Sequence, residues 1–136
     1  MKPYTYVNYA RKCEPAFGFY EKHLGAKRLA MTRHSQSPNF SKVPPAFKDA
    51  VLHARISIGD TVLMGAGIPG AQPIRSAYLS ILPDSIDEAE RVYRVLSDGG
   101  EIFMPMEETP FAMRFAMLRD RFGSSWMILH ERPPAS

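Results

Sequence analysis

A short pattern occurs twice in this chain, and it limits the folds open to it. Glu14-x-Ala16-x-x-x-Tyr20 in the first half matches Asp87-x-Ala89-x-x-x-Tyr93 in the second. Gly59-Asp60-Thr61 is echoed by Gly123-Ser124-Ser125. Self-similarity at this spacing marks two copies of one supersecondary unit. Around each copy the periodicity predicts a helix. The first runs from about Cys13 to Leu24, with Cys13, Phe17, Tyr20 and Leu24 on one face. Pro15 sits in its first turn, where a missing N–H costs nothing, and Gly25 stops it. The second runs from about Ile86 to Ser97, opened by a Ser85/Glu88 capping box and ended by Gly99-Gly100. Strands are predicted at Thr5–Tyr9, Lys27–Thr32, Val51–Ile58 and Thr61–Met64, then at Ala77–Leu82, Glu101–Met106, Met113–Leu118 and Ser125–His130. Gly59-Asp60 and Asp120–Gly123 read as hairpin turns. The order is strand, helix, three strands, twice over: an α+β chain of two βαβββ modules. A single domain over residues 1–136 is expected, with module one at about 1–68 and module two at about 74–132. The first module is the longer. Its surplus falls in Ser35–Lys48, whose Pro38, Pro44 and Pro45 predict a long surface loop.

Composition excludes several function classes. At 136 residues with 45% hydrophobic and 23% charged side chains, the chain can build a core without staples. One cysteine, Cys13, excludes an internal disulfide framework and a multi-cysteine zinc site. The net charge is only +3 and the basic residues are scattered, so no nucleic-acid partner is expected. No apolar run is long enough for a membrane span, and Met1–Tyr6 lacks a secretory apolar stretch. A cytoplasmic location is the expectation. The eight methionines and twelve prolines suggest soft interior surface and many short elements.

In this order of elements, certain residues carry a resemblance. They are Cys13-Glu14-x-Ala16-Phe17-x-Phe19-Tyr20 with Leu24-Gly25, and His53-Ala54-x-Ile56-x-Ile58-Gly59-Asp60 with Leu63-Met64. Further along stand Asp87-Glu88-Ala89-Glu90-Arg91, Gly99-Gly100, Met104-Pro105-Met106-x-Glu108-Thr109, Arg114-Phe115 and Asp120-x-Phe122-Gly123-x-x-Trp126-Met127. With these the chain resembles the vicinal-oxygen-chelate (glyoxalase/bleomycin resistance/dioxygenase) superfamily, and within it the PhnB-like branch. The resemblance implies a curved, incomplete barrel with helices outside and a cavity within. It also implies a homodimer.

Metal-using members of that superfamily carry His, Glu or Gln ligands on the first and last strands of both modules. Carried over by the surrounding motifs, those positions fall on Thr5, Met64, Ser76 and Met127. None is a usual ligand of a hard or borderline divalent cation, and two are thioethers. A shift of one residue offers Tyr4 or Tyr6, Leu63, Arg75 or Ala77, and Trp126 or Ile128, which is no better. No metal and no cofactor are therefore expected. The branch is sometimes labelled as methyltransferases, yet no Gly-rich strand-to-helix loop is present; Gly65-Ala66-Gly67 opens no helix.

Strand alternation from Thr5 predicts a cavity lining of Thr5, Val7 and Tyr9, with Met64, Ser76, Tyr78 and Met127. Such a wall suits a small organic ligand of mixed polarity; the same side chains could equally fill a closed core. Glu108 and Arg114 are expected at the cavity mouth against the ligand. Glu107 and Glu108 are adjacent on an extended chain and point to opposite faces, so they are not a working acid–base pair. His23, His34, His53 and His130 lie on separate elements, and a structural hydrogen bond is the expectation for His53. Cys13, on the apolar face of its helix, reads as a buried structural thiol. The chemistry favoured by these residues is metal-independent small-molecule binding. The alternative is a divalent-metal-dependent lyase, isomerase or dioxygenase-like enzyme using His53, Glu107 or Glu108.

Overall fold

The structure is a computed structural model that describes residues 1–37 and 42–133. The chain divides into two compact units, Met1–Gln72 and Pro73–Ser136. Unit one contains β1 (Thr5–Asn8), α1 (Cys13–Leu24), β2 (Lys27–Arg33), β3 (Val51–Ile58) and β4 (Thr61–Ala66). Unit two repeats the order with β5 (Leu79–Ile81), α2 (Ile86–Ser97), β6 (Glu101–Thr109), β7 (Ala112–Arg119) and β8 (Ser125–Glu131). Each unit is an open four-stranded sheet, ordered β1-β4-β3-β2 and β5-β8-β7-β6. The central pairs are antiparallel hairpins, and β1 and β5 join parallel to β4 and β8. Both helices keep the expected bounds.

The local chemistry explains those bounds. After α1, Gly25 adopts φ +67°, and its N–H donates to the Tyr20 carbonyl, a left-handed cap that glycine takes without strain. At the start of α2 the Ser85 hydroxyl accepts the Glu88 N–H at 3.1 Å. The other half of the expected capping box gives way to a stronger partner: both Glu88 carboxylate oxygens bind Arg91. In unit one Cys13, Phe17 and Tyr20 of α1 are fully buried against the sheet, with Tyr9 edge-on to Phe17. In unit two Leu96 of α2 and Leu118 and Ile128 of the sheet are sealed from solvent. Each such apolar side chain contributes about 1.5–3 kcal/mol of burial.

The predicted loop over Ser35–Lys48 is partly outside the described residues, with Pro38 among those not described. What is described is tied at its base. His34 and Ser35 donate their N–H groups to the carbonyls of Ala50 and Lys48, and the Arg33 guanidinium reaches the Asp49 carbonyl. The buried His34 ring meets the Gly67 carbonyl at 2.7 Å; because a carbonyl only accepts, Nε2 carries the proton. Beside it the Asn8 amide clamps Ile68 from both sides, donating to its carbonyl and accepting its N–H. A Cβ on Gly67 would fall 2.2 Å from the Ala10 carbonyl oxygen, so only glycine lets these two segments pass.

The outer strands close the description. β6 is the edge of its sheet, with Ile102, Phe103 and Met104 exposed, and its pairing to β7 shifts register three times. Pro105 in its middle has no N–H to give.

Candidate functional site

Each sheet has a face covered by its helix and a far face turned away from it. The pairing register decides which side chains share a face. In unit one Leu63 and Gly65 point at α1: a Cβ on Gly65 would lie 2.6 Å from the Phe17 ring. In β1 the partners are Thr5 with Leu63, Tyr6 with Met64 and Val7 with Gly65. Thr5 and Val7 therefore share the helix face, and Tyr9 follows them, edge-on to Phe17 and tilted against Tyr20. This corrects the expectation that Thr5, Val7 and Tyr9 line a cavity together with Met64. They face the opposite way, and Val7 and Tyr9 are core.

The far face of unit one is instead built from Tyr6 and Asn8 of β1, Met64 of β4, and His53, Arg55 and Ser57 of β3. Thr32 and Ala30 of β2 adjoin His53 and Arg55. Tyr4, just ahead of β1, lays its ring against the Arg55 guanidinium at 5.3 Å. Partial burial holds the Tyr6 hydroxyl above its ordinary pKa, with Cys13 adding to the effect. The Cys13 thiol itself is pushed up to about 12, first by burial. That rules it out as a nucleophile at neutral pH.

In unit two the register sets Ser80 beside Met127, and Met127 beside Met117. Leu79, Ile81, Trp126 and Ile128 lie on the other face, under α2. Tyr78 meets Phe103 edge-on at 6.4 Å, and Phe103 in turn lies 5.1 Å from the Arg119 guanidinium. Phe115 pairs with Leu129 on the same far face and packs on Phe111 at 5.1 Å. Ser76 is exposed and precedes β5, outside any strand.

Glu108 and Arg114, expected together at a cavity mouth against a ligand, are each engaged in an ion pair of their own. Arg114 shares its side of the sheet with His130 and reaches Glu90 on α2 at 3.3 Å. Glu108 is held by Arg132, which keeps its carboxyl below the usual range, first by hydrogen bonding and then by charge. The chain continues past β8 and carries Arg132 back to the β6–β7 turn, a return that local sequence does not announce. His53 stands on the far face of unit one, whereas His130 is tied through Nδ1 to the Pro83 carbonyl.

The residues do not fit a divalent cation. Met64 and Tyr6 in one unit, and Met127 and Ser80 in the other, supply thioethers and neutral hydroxyls. Among the described residues no three of His, Cys, Asp and Glu come together so as to hold a metal ion. No helix among them is long and apolar enough to cross a membrane.

The sequence pattern alone does not single out Arg55, and it offers Tyr4 and Tyr6 only as one-residue shifts of Thr5. The signal was present in β3: Ala54 and Ile56 are apolar, so His53, Arg55 and Ser57 must point the other way.

Three comparisons place this geometry among known proteins. The family profile described as Glyoxalase/Bleomycin resistance protein/Dioxygenase superfamily matches residues 6–128. Protein YjdN of Escherichia coli (strain K12) is 29% identical over 133 residues, covering 90% of each chain. The crystal structure of PA1353 from Pseudomonas aeruginosa superimposes with a TM-score of 0.85 at 34% identity, covering 98% of this chain and 99% of that one. The PhnB protein of Bacillus cereus superimposes with a TM-score of 0.80 at 21% identity over 96% of this chain and 99% of its own.

Proposed function

The chain belongs to the glyoxalase/bleomycin resistance protein/dioxygenase superfamily, and we propose that it binds a small organic molecule without a metal. The observation that carries this reading is the pair Met64 and Met127, each on a far face beside hydroxyl-bearing neighbours. A thioether gives dispersion contacts and adapts its shape, which serves an apolar ligand and serves a hard cation poorly. Tyr78, Ser80, Met117 and Met127 in unit two form one such surface, and Tyr6 and Met64 in unit one form another, each offered by itself to a ligand of this kind. Ser76, Glu108 and Arg114 are given no part in it. A homodimer belongs to the same reading, by analogy with the family.

The test is elemental analysis of the purified protein joined to ligand titration with and without a chelator. Sub-stoichiometric metal and unchanged binding in EDTA are expected. Stoichiometric metal, with binding lost on chelation, would overturn the proposal. Light scattering at micromolar concentration reads the oligomeric state, and a monomeric mass would remove the dimer from it.

A further inference from the structure

Seven of the eleven arginines of this protein, Arg28, Arg33, Arg91, Arg114, Arg119, Arg121 and Arg132, each meet a carboxylate within 4 Å. Of the other four, Arg11, Arg75 and Arg94 are exposed to solvent, and Arg55 is half-buried. It lies in the middle of β3, its Cα partnered by Met64 on one side and Ala30 on the other. Among the described residues it has no ion pair, and its Nε is buried without a hydrogen-bond partner. The side chain is half-buried, and a buried donor atom left without a partner is costly, so native structures rarely keep one without a use.

The surroundings of Arg55 narrow that use. The Tyr4 ring centre lies 5.3 Å from the guanidinium carbon, a cation–π contact that holds the side chain over this face. Around it on the same face stand Tyr6, Met64, His53, Ser57 and Thr32, with no Asp or Glu among the face's residues. The face is thus aromatic and cationic, with one guanidinium fork in its middle and, among the described residues, no anion on the face to satisfy it. One guanidinium matches one carboxylate, by planarity and by charge. A phosphate dianion would call for further donors, such as a lysine cluster or a helix N-terminus; among the described residues Lys27, opposite Ser57 at the end of the strand pair, is the one lysine that the register sets on this face.

We propose that Arg55, held under Tyr4 on the far face of the first sheet, is the anion anchor for a planar organic carboxylate whose apolar body lies over Tyr6 and Met64. This deepens the small-molecule reading above and rests on it. The ligand class becomes aromatic or otherwise flat monocarboxylic acids, with the charge at the Arg55 end.

The experiment uses the full chain and two probes of matched shape, 1-naphthoate and neutral 1-naphthalenemethanol, titrated by fluorescence or calorimetry. Wild type is expected to bind the carboxylate at least about tenfold more tightly than the alcohol. Arg55→Gln is expected to bring the two within about twofold, with the affinity for the alcohol unchanged and the thermal midpoint little moved. Arg55→Lys retains the charge without the fork and is expected to fall between them. Equal affinities in wild type, or a preference that survives Arg55→Gln, would overturn the anchor and leave the small-molecule reading standing. Saturable binding of neither probe would defeat both.

Discussion

In unit one, α1 places Phe17 over a glycine of the sheet, Gly65. In unit two the repeat puts Glu90 at the corresponding helix position and Ile128 at the corresponding sheet position, since Ala16 matches Ala89 and Met64 matches Met127. Ile128 is fully buried, and Glu90 turns to Arg114 at 3.3 Å. Bulk has moved from helix to strand while the space between them stays filled. What such a repeat keeps is the volume of the layer, not the residue that supplies it. The far faces diverge too: the positions held by His53, Arg55 and Ser57 in one sheet are held by Phe115, Met117 and Arg119 in the other. One face offers a fork and tyrosines, the other methionine and phenylalanine.

The hairpin turns should part the two units most sharply. Asp120 is buried and accepts from the Phe122 and Ser124 amides and from the Trp126 indole N–H. Asp120→Ala strands these donors and is expected to cost about 3 kcal/mol. Asp60, in the matching hairpin of unit one, is exposed, and Asp60→Ala is expected to stay within about 0.5 kcal/mol. Equal losses for the two variants in denaturant unfolding would break the contrast. Next in size is Gly65→Val, which drives two methyl groups and a Cβ toward Phe17 and is expected to cost about 2 kcal/mol. Adding Phe17→Leu should return part of that. A double variant no more stable than Gly65→Val alone would show that volume is not being exchanged across the layer.

The smallest effect concerns the helix starts. Unit one has the buried Cys13 where unit two has Ile86. With its pKa raised from 9.0 to about 12, the thiol favours its neutral form in the fold. That preference stabilises the protein fully below the unfolded value and is lost as the pH climbs from 9 toward 12. At pH 8 the native protein is expected to resist iodoacetamide and the unfolded chain to react. Rapid native labelling, read by mass spectrometry, would refute the buried assignment.

The two helices and the order of strands were legible because their signals are local: Gly25 and Ser85 act on their own turns, and the apolar spacing reports a face. The far faces were not. Alternation shows that Thr5, Val7 and Tyr9 share a side, but which side depends on the register of β1 against β4, some sixty residues away. The helix above supplies the answer, since Phe17 and Tyr20 draw Tyr9 inward. The ion pairs of Arg114 and Glu108 escape the sequence pattern for a related reason. Each side chain meets its partner on an element, α2 or the segment after β8, that the strand pattern does not place.

The edge strand β6 has a consequence for how the chain behaves in a crowd. Ile102, Phe103 and Met104 stand exposed on a nine-residue strand, the composition of a template that recruits further strands. Pro105 interrupts the donor row and the three register shifts bend it, so an incoming strand finds no continuous ladder to copy. The proline and the shifts thus work against the edge-to-edge pairing that this apolar stretch would otherwise invite.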